Sequence, residues 1–278
     1  MKITFIGHVC IDRNVIRGRT ETFYGGGVIH GSITAKRLGA DSKVLTKCAE
    51  EDREHWTAFR EAGVEAVFLP SRASTSIRNV YATDNPDDRQ SSLISRADPF
   101  SEADLEVLDA DAVHLNPLWY GEFPCELLPI LRKRTSLLGG DAQGFLRHVL
   151  DDGQMEYRDL PEKREVLSRF DFFKVDAKEA LILTGEEDVR RAARAVRDLG
   201  PRIVLLTHRG GVCAFDGSEC CESPFTAFTL EGRTGRGDTC TGAFLSAVPR
   251  MSLCEATALA AQVTSRKMQY RGPYRGPG

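Results

Sequence analysis

The most informative stretch of the chain is Gly232-Arg233-Thr234-Gly235-Arg236-Gly237-Asp238-Thr239-Cys240-Thr241-Gly242-Ala243-Phe244. In it, three glycines stand just ahead of an acidic residue at the start of a helical pattern. Glycine allows unusual backbone angles, and a helix N-terminus offers unpaired N–H groups that hold anions. An aspartate there would lie beside a bound phosphate and could accept the proton of an incoming hydroxyl. The stretch therefore predicts phosphoryl transfer to an alcohol.

Length, charge and cysteine usage limit the class of protein. The chain has 278 residues, which suits one large α/β domain or two small ones. A net charge of −3 argues against a nucleic-acid partner. The eight cysteines form no C-x-x-C pair, and no apolar run approaches the ~20 residues that span a bilayer. We therefore expect a cytoplasmic protein with reduced cysteines and no membrane partner.

Strand-like and helix-like patterns alternate along the chain, which indicates an α/β fold with a mainly parallel sheet. The patterns predict helices at 28–38, 52–61, 189–199 and 256–268. They predict strands at 2–6, 43–46, 112–115, 136–138, 170–175, 203–206 and 212–215, the last opening a hairpin at Asp216-Gly217.

Two stretches, 13–24 and 75–95, break this alternation and read as short antiparallel strands around polar turns. Such strands usually leave the main sheet. They predict a small β lid over the carboxyl edge of the sheet, where ligands of α/β proteins bind. Residues 1–278 would then form a single domain that carries this lid.

The 232–244 stretch resembles the C-terminal signature of the ribokinase-like (PfkB) sugar kinases, usually D-x-x-G-A-G-D-x-F. The resemblance implies a three-layer α/β/α fold with Asp238 as catalytic base. It also implies an anion hole formed by the N–H groups from Gly235, through Arg236 and Gly237, to Asp238. Glu231 or Gly232 stands where the family has an aspartate. Arg236 replaces the usual alanine, so it either adds a cation beside the phosphate or points to solvent.

An N-terminal group consists of Asp12 and the triple glycine that follows Tyr24. The resemblance implies that Asp12, Gly26 and Gly27 grip the hydroxyls of the substrate. His30 takes the place of a family asparagine and is the next candidate contact. The alternatives are a turn aspartate, a tight turn into a helix, and a helix histidine with no role.

A second group comprises Lys174, Asp176 and Glu179. The family carries N-x-x-E where this chain has D-x-x-E. The resemblance implies that Glu179 and Asp176 organise Mg²⁺ through water and that Lys174 contacts the nucleotide; carboxylate oxygens suit such a cation. The same spacing fits an N-cap aspartate with a capping-box glutamate, and both roles can hold together.

Directly after the strand at 203–206 come Thr207, Gly210 and Gly211. They resemble the family's T-x-G-x-x-G segment, which implies contacts with the nucleotide phosphates and ribose. His208 and Arg209 between them are expected to face solvent.

Asn116 and Gln143 each follow a short predicted strand, so both should reach the same edge of the sheet. Either side chain could bind a substrate hydroxyl. Trp119 and Tyr120 nearby are expected to serve ordinary packing.

The chain lacks G-x-x-x-x-G-K-[ST], which argues against a P-loop kinase. The T-G-R-G-D-T run, the triple glycine and the segment 116–123 resemble a bacterial branch of myo-inositol kinases within the family. That resemblance implies phosphorylation of myo-inositol with ATP and Mg²⁺. Open alternatives are fructose, ribose, 2-keto-3-deoxygluconate or a nucleoside as acceptor, and a non-catalytic ligand-binding protein. The short lid leaves both a monomer and a homodimer open.

Overall fold

The computed structural model describes residues 1–81, 89–227, 229 and 231–276. Within them the strands are β1 (Lys2–Ile6), β2 (Cys10–Ile16), β3 (Arg19–Gly25), β4 (Asp41–Cys48), β5 (Glu65–Pro70), β6 (Thr75–Tyr81), β7 (Arg89–Ser95), β8 (Ala112–Leu115), β9 (Leu137–Asp141), β10 (Arg147–Val149), β11 (Met155–Tyr157), β12 (Phe172–Asp176), β13 (Ile203–Thr207), β14 (Gly211–Phe215) and β15 (Cys220–Pro224). The α-helices are α1 (Gly27–Arg37), α2 (Thr57–Ala62), α3 (Leu128–Arg134), α4 (Gln143–Leu146), α5 (Lys163–Leu167), α6 (Ala177–Thr184), α7 (Val189–Arg197), α8 (Arg236–Ala247) and α9 (Leu253–Lys267).

The central sheet has the order β15-β14-β13-β12-β9-β8-β1-β4-β5. Neighbouring strands from β5 across to β13 run parallel, whereas β14 runs antiparallel to both of its neighbours, β13 and β15. The chain first runs outward from β1 to β4 and β5, then returns to the other side of β1 with β8. Open α/β sheets bind ligands at such a reversal, outside the carboxyl ends of the strands.

Helices cover both faces of this sheet. Alternate strand residues point to opposite faces, so Phe5 and Phe172 pack with α1, α8 and α9, while Ile6 and Phe173 belong to the core on the other face. Strands buried on both faces must be apolar throughout, which explains the short apolar runs in the sequence. The predicted three-layer α/β/α fold is confirmed.

Six strands of the described residues lie outside the central sheet. Four of them form a second sheet, which we call the lid sheet, in the order β3-β2-β6-β7, and β10 and β11 pair separately. Its β2–β3 and β6–β7 pairs are antiparallel, but β2 and β6 run parallel, which the sequence did not suggest. Strand β2 begins at Cys10, earlier than expected, because the chain leaves β1 directly into this sheet. The predicted lid segment 75–95 includes residues 82–88, which lie outside the described residues. Closure over a substrate stays a prediction.

The helix predicted at 52–61 is wrong in its bounds. A 3₁₀ helix covers Glu50–His55, and α2 begins only at Thr57. Between them the backbone turns to bury Trp56, which is 4% exposed and packs near Phe68 with ring centroids 6.2 Å apart. The free energy gained by burying this large ring exceeds the cost of interrupting a polar helix.

A disulfide joins Cys221 of β15 to Cys254 of α9, which corrects the expectation of reduced cysteines throughout. The two residues are separated by 33 positions, and their Cα atoms are 5.0 Å apart. Only the packing of α9 against β15 brings them together, so their spacing in the sequence carried no signal. None of the helices in the described residues is long and apolar enough to cross a membrane.

Candidate active site

The first turn of α8 forms an anion-binding end that faces the carboxyl edge of the sheet. Gly235 is its N-cap and has φ 77°, a left-handed conformation that favours glycine. A Cβ at Gly235 would also lie 2.2 Å from the ring of His30. The Arg236 N–H donates to the Arg233 carbonyl oxygen at 3.0 Å, whereas the N–H groups of Gly237 and Asp238 follow at positions that have no partner within the helix. This end can therefore offer these two N–H donors and a partial positive charge to a phosphate.

Asp238 lies in that first turn with its carboxylate held between two other elements. The side-chain amide of Asn116, which follows β8, donates to Asp238 Oδ1 at 3.2 Å. A Cβ at Gly27, the first residue of α1, would stand 2.7 Å from the same oxygen. Gly27 thus makes room for the carboxylate, so the start of α1 and the start of α8 meet at Asp238.

Electrostatics bring Asp238 close to the range useful for a base at neutral pH. Burial raises the pKa of Asp238 to about 6, and the negative charge of Asp141 adds to the rise, while Lys174 opposes it. Above that pH the carboxylate is ionised and can accept a proton from a hydroxyl. Asn116 Oδ1 is buried without a partner among the described residues, so it could accept a hydrogen bond from a ligand.

Lys174 of β12 stands at the centre of a buried charged cluster. Its Nζ lies 3.2 Å from Asp141 Oδ2 and 3.6 Å from Glu179 Oε2. A Cβ at Gly237 would be 3.1 Å from Lys174 Nζ, so this ammonium group borders the anion-binding end of α8. Burial lowers the pKa of Lys174, but the surrounding carboxylates raise it well above its ordinary value. Lys174 is therefore a permanent cation beside the anion site.

Asp176 and Glu179 form the capping box at the start of α6. Asp176 Oδ1 accepts from the Glu179 N–H at 2.8 Å, and Glu179 Oε2 accepts from the Asp176 N–H at 2.7 Å. Burial raises the pKa of Glu179, and the nearby Asp176 carboxylate acts in the same direction. The capping role is thus present, and the predicted role near Mg²⁺ stays a prediction.

The predicted nucleotide segment lies at the turn between β13 and β14. Thr207 is the buried last residue of β13, and Gly211 opens β14, where a Cβ would lie 2.4 Å from the Ser223 carbonyl oxygen. Gly211 thus permits close strand packing, and Gly210 lies in the turn. His208 is half-buried rather than solvent-facing, and its ring accepts the Gly210 N–H at 3.2 Å.

The side chain of Arg236, which replaces the alanine usual in the signature, has a defined position. Its guanidinium lies over the ring of Phe225, 5.8 Å from the centroid, and the residue is half-buried. The cation is therefore held near the start of α8 by a cation–π contact instead of extending freely into solvent.

The inner face of the lid sheet carries polar side chains around Asp12. Asn79 Nδ2 donates to Asn14 Oδ1 at 3.0 Å and to Asp12 Oδ1 at 3.4 Å. Ser91 Oγ donates to Asn79 Oδ1 at 2.7 Å. A row of polar groups that can donate or accept hydrogen bonds thus lies on one face of three neighbouring strands, beside the apolar side chains of Ile77 and Leu93.

The other predicted contacts differ in their surroundings. Gly26 has φ 115°, and a Cβ there would lie 2.8 Å from the His8 carbonyl oxygen, so the glycine is needed for the turn into α1. Gln143 is half-buried and accepts from Arg147 at 3.5 Å. His30 is 7% exposed and packs on Gly235, where burial lowers its pKa to about 3. Its packing favours support of the anion-binding loop over contact with a substrate hydroxyl.

Asn79, Asp141 and Lys267 belong to this region but escape prediction from the sequence. Asp141 ends β9 at the same edge as Asn116, so its strand position was the available signal. Lys267 lies in phase with the buried residues Ala260 and Thr264 of α9, and a lysine on an apolar helix face is a signal of a buried cation. Asn79 sits in an unremarkable strand and had no signal of its own.

Together, a helix N-terminus with N–H donors, an adjacent buried carboxylate and a polar face of the lid sheet suit a phosphotransferase that acts on an alcohol. The sequence model of the pfkB family carbohydrate kinases matches residues 2–277. The chain belongs to this family. It is also similar to the cytidine kinase of Thermococcus kodakarensis, with 29% identity over 262 residues that cover 90% of this chain and 89% of that protein.

Solved structures give the same family at higher similarity. A pyrophosphate-dependent kinase in the ribokinase family, complexed with a pyrophosphate analog and myo-inositol, is 49% identical with a TM-score of 0.92, covering 98% of this chain and 97% of that one. A sulfate complex of a pyrophosphate-dependent kinase in this family is 50% identical with a TM-score of 0.93 and the same coverage. The ribokinase of Arabidopsis thaliana, complexed with ribose and ATP, is 19% identical with a TM-score of 0.76 and shares the fold, over 98% of this chain and 94% of that one.

Proposed function

We propose that this kinase transfers a phosphoryl group to a hydroxyl of myo-inositol, with Asp238 as the general base. The observation that carries the proposal is the position of the Asp238 carboxylate, in the first turn of α8 and hydrogen-bonded to Asn116. From there it can take the proton of an acceptor hydroxyl while the neighbouring N–H groups hold the phosphoryl group that is transferred.

The inner face of the lid sheet supports a polyol as acceptor. A cyclic polyol presents hydroxyls in several directions, and the Asp12, Asn14, Asn79 and Ser91 side chains offer both donors and acceptors. For one 48% identical solved relative, replacement of an asparagine and a serine by leucine converts a pyrophosphate-dependent myo-inositol-1 kinase into a myo-inositol-3 kinase. We propose that Asn79 and Ser91 orient the acceptor here, and hence select the hydroxyl that meets Asp238.

For the donor we propose pyrophosphate, with ATP as the alternative that the wider family suggests. The relatives at 49–50% identity are named as pyrophosphate-dependent. Lys174 borders Gly237, and the Arg236 guanidinium lies over Phe225 near the start of α8. These cations, together with Mg²⁺ held through water by the neighbouring carboxylates, would suit a compact diphosphate, whose binding energy must come from its phosphates alone.

The charged cluster fits Mg²⁺ held through water. Three carboxylates, those of Asp141, Asp176 and Glu179, surround the single ammonium of Lys174, so the cluster has an excess of negative charge. Among the described residues, a set of side chains close enough to chelate an ion directly lies elsewhere, at Cys213, Cys220 and Glu222. When bound, Mg²⁺ would neutralise charge on the donor.

The expected partners are accordingly two small molecules, the donor and the polyol, and the expected location is the cytoplasm. A nucleoside acceptor is a second candidate because the Thermococcus relative is named a cytidine kinase. A binding protein without turnover would bind the donor but release no phosphorylated product.

A donor-by-acceptor matrix tests the proposal. Pyrophosphate and ATP, each with Mg²⁺, would be offered with myo-inositol, fructose, ribose, 2-keto-3-deoxygluconate, cytidine and adenosine, and phosphorylated product would be quantified. We expect the highest kcat/KM for pyrophosphate with myo-inositol. Preference for a nucleoside or a sugar would overturn the acceptor, and preference for ATP would overturn the donor. Donor binding without product from any pair would overturn catalysis itself.

A further inference from the structure

Lys267, the last residue of α9, is a fully buried lysine with an unusual set of partners. It is 0% exposed, and its ammonium donates to the backbone carbonyl oxygens of Gly232 and Thr234. Within the described residues no carboxylate forms an ion pair with it. Carbonyl oxygens satisfy its hydrogens but do not cancel its charge, and a buried charge without an opposite charge disfavours the folded state.

The two carbonyl groups belong to the loop that leads into α8. The Gly232 N–H donates to the Met268 carbonyl at 2.9 Å, and a Cβ at Gly232 would lie 1.9 Å from the Tyr270 carbonyl oxygen. The loop is therefore pressed against the end of α9. Thr234 immediately precedes Gly235, the N-cap of α8. Lys267 thus fixes the peptide unit next to the N–H groups that would hold the donor phosphate.

The titratable groups around Lys267 show where its charge acts. The Lys267 charge acts on His30 of α1 and on Asp238 of α8. Burial lowers the pKa of Lys267 to about 8, and the Asp238 carboxylate opposes this change. Burial and the Lys267 charge together lower the pKa of His30, which leaves that ring neutral. The buried end of the loop thus carries one positive charge, held by the carbonyl oxygens of the residues that lead into α8.

We propose that Lys267 is a positioning residue of the donor site: its ammonium holds the Gly232–Thr234 loop and supplies positive charge that attracts the anionic donor. The proposal rests on the phosphotransferase function argued above and extends it to a residue outside the signature. It predicts that the charge of Lys267, beyond its hydrogen bonds, is needed for donor affinity.

Lys267→Gln separates the two contributions because glutamine keeps a hydrogen-bond donor and loses the charge. Calorimetric titration with pyrophosphate, with ATP and with myo-inositol would be compared for wild type, this variant and Arg266→Gln, the exposed neighbouring residue. We expect donor Kd to rise by about tenfold or more in Lys267→Gln, with the Kd of myo-inositol unchanged. Arg266→Gln should match wild type. An unchanged donor Kd in Lys267→Gln would overturn the proposal.

Lys267→Ala provides a second test by chemical rescue. We expect methylammonium to restore part of its donor affinity and turnover, while methanol, a neutral molecule of similar size, restores neither. Equal effects of both molecules, or loss of the folded circular dichroism spectrum in both variants, would show a purely structural role and overturn the proposal. Failure of the wild type to bind either donor would instead refute the proposed function, so the two failures are distinguishable.

Discussion

Gly27 lies so close to Asp238 that a Cβ on the glycine would stand 2.7 Å from the carboxylate oxygen Oδ1 and 3.3 Å from Asn116 Nδ2. The start of α1 and the start of α8 therefore share one small space, which the Asp238 carboxylate fills. This contact gives the triple-glycine motif a physical reason beyond the turn into a helix. A side chain at Gly27 would displace the base, since real Cβ atoms do not approach an oxygen this closely.

Gly27→Ala should lower kcat by about 100-fold, because displacement of a catalytic group by roughly 1 Å has an effect of that size. Steady-state kinetics would measure it. In the Asp238→Asn background the same substitution should lower kcat far less, since the carboxylate that it displaces is already absent. Equal losses in both backgrounds would show that Gly27 acts through something other than Asp238.

Asn116→Leu should shift the pH dependence of turnover. In wild type, kcat should fall as pH drops below about 6, where Asp238 becomes protonated. The Asn116 amide hydrogen bond favours the charged carboxylate, so its removal raises the pKa of Asp238 and moves this acid limb to higher pH. We also expect a plateau about tenfold lower at pH 8. An acid limb at the wild-type position would contradict the contact as a determinant of the pKa.

Asp238→Asn should stabilise the fold at high pH while it impairs catalysis. The pKa of Asp238 is raised in the folded state, so its contribution to stability is present at low pH and is lost as pH rises through about 6. Asparagine has no charge to bury. We expect a Tm roughly 3 °C above wild type at pH 8 and a smaller difference at pH 4, measured by differential scanning calorimetry. The exposed Asp151→Asn is the control, and a lower Tm for Asp238→Asn would contradict the burial of this charge.

Cys254→Ser should destabilise the protein without altering its chemistry. The Cys221–Cys254 disulfide closes a loop of 33 positions between β15 and α9, so its loss should cost about 3 kcal/mol of unfolding free energy. Urea denaturation would measure the change, and wild type treated with a reductant should behave like the variant. A wild type that is insensitive to the reductant would mean that the disulfide does not form in solution. The kcat should stay at the wild-type value, because neither cysteine lies in the donor or acceptor site.

The central sheet and the position of Asp238 in the first turn of α8 were predictable because their signals are local. Apolar runs mark strands buried on both faces, and the glycines before Asp238 mark the start of α8. The remaining features depend on contacts between distant segments. Lys267 meets Gly232 only after α9 packs beside α8, Cys221 meets Cys254 the same way, and the break at Trp56 follows from burial of its ring. Asn79 joins Asp12 only through the parallel pairing of β2 with β6.

The role of Asp238 can be tested by following phosphoryl transfer from pyrophosphate to myo-inositol by ³¹P NMR, with wild type and Asp238→Asn compared at pH 8. We predict a growing phosphomonoester signal for wild type. The variant should form it ~10²–10⁴-fold more slowly, with the donor Kd close to that of wild type. A variant that turns over at the wild-type rate, or that is inactive only because it no longer binds the donor, would contradict Asp238 as the base.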